Sequence, residues 1–192
     1  MAALETKEGP GVTETPSWRP RQARADVHSM LRVDQAGEYG ATRIYAGQLA
    51  VLGPRSTATR LIARMAAQEQ RHLDVFNAMM VERGVRPTLL QPVWRVAGHV
   101  LGAVTALMGP EAALACTAAV ETEIDRHYGE QLKTLGDEDP DLVATIGEFR
   151  SDEVEHRETA LAAGAENAVG YPILSAFIRG GCRAAIALSK RI

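Results

Sequence analysis

Glu69-Gln70-Arg71-His72 and Glu153-Val154-Glu155-His156 repeat one Glu-x-x-His pattern, 84 residues apart, in a chain of 192 residues. On a helix, residues i and i+3 share a face about one turn apart, so each motif can present a carboxylate oxygen and an imidazole nitrogen to one metal ion. A single motif carries little weight. With 16 Glu and five His in the chain, chance alone supplies about 0.4 of them. The repeat carries the argument, and it requires both motifs to lie on helices that face each other.

The breakers supply such helices. Gly53-Pro54, Gly84 with Pro87 and Pro92, Gly109-Pro110, Gly136 with Pro140, and Gly170 before Pro172 punctuate the chain after Pro20. Six helices are predicted, at roughly 21–52, 56–84, 92–108, 110–136, 140–168 and 172–190, with Ser56 and Asp139 as N-caps and Pro110, Pro140 and Pro172 in first turns. Helices one and two form a hairpin, as do four and five, and the third carries the chain between them. The expected fold is all-α, a four-helix bundle with a crossover helix and a C-terminal helix. A hydrophobic content of 46% with only 5% aromatics suits close-packed aliphatic helices. Residues 1–20, rich in Gly, Pro and Thr, read as a disordered segment without a signal peptide's apolar stretch, and residues 21–192 read as one domain.

Reflection about the turns completes the site. In the first hairpin, the position opposite Glu69 and His72 falls near residue 38, which is Glu38. In the second, Glu153 should face residues 121 to 123, where Glu121 and Glu123 both stand. Glu121 continues the apolar face of Ala113, Leu114, Thr117 and Ile124, whereas Glu123 points more than a quarter turn away, so Glu121 is preferred. Four carboxylates facing one another inside a bundle are too costly to desolvate without compensation, and no matching Lys or Arg occupies these faces. Two divalent ions would balance Glu38, Glu69, Glu121 and Glu153, with His72 and His156 as neutral ligands, one motif serving each ion. An oxygen-rich set with no thiolate suits iron or manganese, and iron is preferred.

Other groups are less tightly placed. Tyr45 and Tyr128 lie seven residues after Glu38 and Glu121 and share their faces, and His127 adjoins Tyr128. Asp34, Asp125 and Asp152 are candidates to orient the metal-bound imidazoles. His28 and His99 lack a carboxylate partner at ligand spacing, and Cys116 and Cys182 read as free thiols in a reducing compartment. A net charge of -3 with dispersed cations gives no argument for nucleic acid. The third helix (Val93 to Met108) is apolar but too short and interrupted to span a bilayer. The last sets Ile173, Leu174, Phe177 and Ile178 against Arg179, Arg183, Lys190 and Arg191. Both are expected either to lie on a membrane surface or to pack against the bundle or a second copy of the chain.

The segments Met30 to Ala41, with Asp34-Gln35-Ala36-Gly37-Glu38-Tyr39-Gly40 at their centre, Arg43 to Gln48, Arg86-Pro87-Thr88, Ala115-Cys116-Thr117 and Gly181 to Ile186 together closely resemble the demethoxyubiquinone hydroxylase family. The resemblance runs from about residue 26 to the end. It implies a ferritin-like fold whose carboxylate-bridged di-iron centre uses O2 to hydroxylate a polyprenylated benzoquinol, the penultimate step of ubiquinone biosynthesis. It implies Glu38, Glu69, His72, Glu121, Glu153 and His156 as ligands, NADH as a reductant, and His127 and Tyr128 as candidates for relaying electrons. It also implies a peripheral place on a membrane bilayer, at the cytoplasmic face of a bacterial inner membrane or, alternatively, the matrix side of the mitochondrial one. A lipid-presenting protein of the same pathway and a homo-oligomer are candidate partners. A ferroxidase or iron-storage bundle could use the same six ligands, and the two apolar helices argue against it.

Overall fold

In the computed structural model, residues 26–54 and 56–191 are described, so the expected disordered segment 1–20 and the expected start of the first helix at 21 lie outside them. Six helices follow: α1 (Val27–Val51), α2 (Thr57–Glu82), α3 (Gln91–Leu107), α4 (Pro110–Leu135), α5 (Pro140–Ala162) and α6 (Tyr171–Ser189). No strand occurs among the described residues. Hairpins α1–α2 and α4–α5 dock into a four-helix bundle, α3 crosses between them while packing on α1, and α6 lies on α4. This is the four-helix bundle with a crossover helix expected from the repeat, and it agrees with the ferritin-like fold that the resemblance implies.

The ends are set locally. Asp26 accepts a hydrogen bond from Ser29 N at 3.0 Å to open α1, and Asp139 accepts from Leu142 N at 3.1 Å to open α5. Ser56 starts α2 without a side-chain cap bond. Arg83, at the end of α2, also pairs with Asp139, which ties the exit of one hairpin to the turn of the other. The fifth helix stops at Ala162, six residues short of its expected end. Gly164 takes φ +99, a left-handed conformation that ends a helix, and a 3-10 turn at Ala165–Asn167 follows.

Helices α3 and α1 approach to backbone contact. A Cβ on Gly102 would stand 1.9 Å from the Ile44 carbonyl oxygen, and one on Gly47 would stand 2.1 Å from the His99 carbonyl oxygen. Glycine at both positions is what allows the crossing. Helix α3 also touches α6, where Trp94 Nε1 donates to Ser189 Oγ at 3.1 Å, and Leu101 joins Ile44, Cys116, Ala119, Val120 and Ile178 in one apolar cluster. Helices α3 and α6 therefore cover the α1–α4 side together. Their outer faces stay bare: Val96 and Leu107 are 60% and 74% exposed, Ile173 and Phe177 79% and 78%. No helix among the described residues is long and apolar enough to cross a membrane.

Candidate metal centre

The bundle brings all six expected ligand residues together. Glu38 comes from α1, Glu69 and His72 from α2, Glu121 from α4, and Glu153 and His156 from α5, and each is at most 2% exposed. They form two overlapping groups, Glu38, Glu69, His72 and Glu153, and Glu69, Glu121, Glu153 and His156. Within each, one atom from every residue lies within 4.8 Å of the others. Each group holds one complete motif, and Glu69 and Glu153 belong to both groups, so the glutamate of each motif also reaches the other group. Glu123 is turned away, accepting from Arg126 Nε at 2.9 Å and Arg179 Nε at 2.7 Å. His28 and His99 lie outside both groups.

Hydrogen bonds around the cluster aim the imidazoles. His72 Nε2 lies 3.0 Å from Asp152 Oδ2, and Asp152 in turn accepts from Arg71 at 2.7 Å. His156 Nε2 lies 3.1 Å from Gln68 Oε1. Both partners are acceptors, so in each imidazole Nε2 carries the proton and Nδ1 turns its lone pair inward. The Phe149 ring stacks on His72 with centroids 3.9 Å apart and holds its plane. Of the three aspartates weighed from sequence, only Asp152 orients a ligand imidazole. Asp34 accepts from His127 at 3.2 Å, and Asp125 pairs with Arg150 and Arg157. Gln68 escaped the sequence reading, although it stands 84 residues before Asp152, the same offset as the motifs themselves.

The tyrosines cross over. Tyr45 Oη donates to Glu121 Oε1 at 2.6 Å and Tyr128 Oη donates to Glu38 Oε1, so each serves the carboxylate of the opposite hairpin. Burial, reinforced by these carboxylates, holds both phenols well above their ordinary range, and they remain donors.

The protein itself leaves the cluster's acceptors and charge unanswered. Glu38 Oε2, both oxygens of Glu69 and Glu153, Glu121 Oε2, and Nδ1 of both His72 and His156 are buried without a hydrogen-bond partner. No Lys or Arg pairs with any of the four carboxylates among the described residues. An acceptor-only set with a formal charge of -4 fits two divalent ions, which would satisfy the free lone pairs and cancel the charge together.

Without metal, protons must do that work. Burial, and then the neighbouring carboxylates, raise Glu69 and Glu121 well above the usual carboxylate range, and burial raises Glu153 too. Burial opposes charging of His72, but Glu153 and Glu38 beside it lift it to about 10. All four groups bind protons more tightly folded than unfolded. Their stabilisation is therefore present below the unfolded values and is lost as pH rises through the folded ones. Burial lowers His156, whose effect appears only as pH falls through its ordinary value of 6.5. The Tm of metal-free protein should accordingly fall between pH 6.5 and about 10. Adding Fe(II) or Mn(II) should raise it most at the alkaline end, where fewer protons compete. Differential scanning calorimetry across this range checks it, and a flat profile would contradict the buried-charge account.

A helical bundle with paired carboxylates and imidazoles facing one another in its core defines the class of ferritin-like carboxylate proteins. Within that class, residues 25–189 match the family described as ubiquinone biosynthesis protein COQ7, and the chain belongs to it. It is 51% identical over 166 residues to the 3-demethoxyubiquinol 3-hydroxylase of Rhodospirillum rubrum, covering 86% of this chain and 78% of that protein. It is also 51% identical over 174 residues to the human NADPH-dependent 3-demethoxyubiquinone 3-hydroxylase, mitochondrial, covering 88% and 80%. The 5-demethoxyubiquinone hydroxylase, mitochondrial, of Saccharomyces cerevisiae is 40% identical over 202 residues, covering 94% and 87%.

Proposed function

We propose that this chain is an O2-dependent monooxygenase that hydroxylates the ring of a polyprenylated demethoxybenzoquinol, the reaction for which its relatives are named. Glu38, Glu69, His72, Glu121, Glu153 and His156 would hold two iron ions, which supply reductive activation of O2. One oxygen atom enters the ring and the other leaves as water, so two electrons and two protons must be delivered. The observation that carries this reading is the buried acceptor-only cluster, set beneath the two helices that leave apolar faces bare.

His127 and Tyr128 are this chain's candidates for relaying electrons to the centre. Tyr128 donates to Glu38, its neighbour His127 is paired to Asp34, and the two rings lie 6.1 Å apart. His127 also lines a surface cleft of about 270 Å³ with Asp26, Glu130 and Lys190. These contacts support His127 and Tyr128 as a route from the surface to the Glu38 carboxylate. Tyr128→Phe should lower turnover driven by reduced nicotinamide by about 10- to 100-fold, the usual range for a partner of a ligand, with the metal content unchanged. Full turnover in that variant would remove the tyrosine from the route.

The mammalian relatives' names specify NADPH, so the assay should compare it with NADH. The bare rows on α3 and α6 support a peripheral position on a membrane, at the bacterial cytoplasmic face or the mitochondrial matrix side. They equally offer a seat for a lipid-presenting pathway protein or a second copy of the chain. Iron-loaded protein given O2, reductant and a demethoxyquinol should yield a quinol one oxygen heavier by mass spectrometry of the lipid extract. Two irons per chain with no product, or release of a mineral core, would favour iron oxidation or storage.

A further inference from the structure

Beside the apolar row of α3 lies a cleft of about 430 Å³, walled by Tyr39 and Arg43 of α1 and by Arg95, Val96, His99 and Val100 of α3. The close crossing builds it. A Cβ on Gly98 would stand 2.9 Å from the Gly40 carbonyl oxygen and 3.0 Å from Arg43 Cβ, so glycine there lets α3 lie low against the root of the Arg43 side chain. The guanidinium sits over the Tyr39 ring, 5.4 Å from its centroid, which holds a flexible cation in place. Its Nε is buried and has no hydrogen-bond partner. A buried donor without an acceptor is costly, and a bound anion would relieve it. No acidic residue lines the cleft, and the sequence carries none between Glu82 and Glu111.

The walls decide between anions. Val96 and Val100 are more than half exposed and continue into Val93, Val104 and Leu107. A soluble phosphate gains nothing from them, whereas a phospholipid carries its phosphate next to its acyl chains. We propose that this cleft seats the phosphate of an anionic phospholipid headgroup, with Arg43 and Arg95 as cationic contacts, His99 as a further donor, and Val96 and Val100 against the first acyl carbons. The proposal rests on the membrane-surface reading above and adds the lipid class and the residues that recognise it.

Sedimentation of the full chain with vesicles tests both layers separately. Wild type should bind phosphatidylcholine vesicles and bind more tightly when a fraction is replaced by phosphatidylglycerol. Arg95→Ala, a change at an exposed side chain, should cost about fivefold on the anionic vesicles, and Arg43→Ala/Arg95→Ala about 25-fold, with a smaller loss on neutral vesicles, whose phosphates are offset by choline. Arg60→Ala/Arg64→Ala removes the same charge from α2, which does not touch α3, and should change little. Equal losses in the two double variants would reduce the effect to net charge and overturn the site, as would unchanged binding of Arg43→Ala/Arg95→Ala to the anionic vesicles. Either result leaves the membrane reading standing if wild type still binds neutral vesicles. Binding to neither vesicle would end both readings. Saturable binding of inorganic phosphate by calorimetry, abolished in Arg43→Ala/Arg95→Ala, without preference for anionic vesicles, would make the ligand a soluble phosphate and overturn the lipid assignment.

Discussion

Glu69→Ala is expected to strip both metal ions from the chain, whereas Glu38→Ala and Glu121→Ala should each leave one. Read from sequence, Glu69 belongs to one motif and so to one ion. In the folded bundle, Glu69 and Glu153 are common to both groups, while Glu38 and Glu121 each appear in one. Iron per chain should therefore fall from about two to near zero in Glu69→Ala, and turnover should fall by more than the roughly 10- to 100-fold typical of an outer partner. The helices should survive. Alanine is the better helix former, and its removal of a buried carboxylate relieves repulsion with Glu153, Glu38 and Glu121. Metal analysis with circular dichroism distinguishes the cases. One ion retained in Glu69→Ala, with both lost in Glu38→Ala, would reverse the assignment of the shared carboxylates.

The second large effect lies away from the metal centre. Gly102→Ala places a methyl group 1.9 Å from the Ile44 carbonyl oxygen and 2.8 Å from its carbon, and neither backbone atom can rotate aside. Relief requires α3 to lift from α1, which should cost about 3 kcal/mol or more. That corresponds to a Tm lower by about 10 °C in a chain of this size. Gly47→Ala meets the His99 carbonyl from the other side and should behave alike. Gly147→Ala is the control. It has nothing within 4 Å in α5, so better helix propensity should leave the Tm level or raise it slightly. A Gly102→Ala protein that melts with wild type would refute the close crossing.

The metal cluster was largely legible in the chain because its geometry is periodic. A helix fixes the direction of every side chain, a hairpin fixes which positions face each other, and the two Glu-x-x-His motifs provided the register. Glu38 and Glu121 follow from those rules, and so does the rejection of Glu123, which two residues, nearly half a turn, send out to Arg126 and Arg179. Less legible were contacts across the bundle, where the partner is set by docking rather than by spacing. Tyr45 shares a face with Glu38 yet bonds Glu121, and Asp34, Asp125 and Asp152 look alike in sequence but each meets different partners. The early end of α5 was missed because Gly164 sits in a run of small residues whose apolar pattern continues past it.

The crossed contacts also bear on how the protein is made. Each hairpin takes from the other one shared carboxylate, one tyrosine hydroxyl, and the side chain that aims its imidazole. The half that leaves the ribosome first therefore holds three of the four groups needed for its own ion and has no acceptor to steer His72. Strong metal binding would begin only when the second half arrives and docks, and from then on bound ions would favour only the docked state. Interlocking of this kind would keep a half-made chain from holding a metal ion and would make metal content a readout of completed folding.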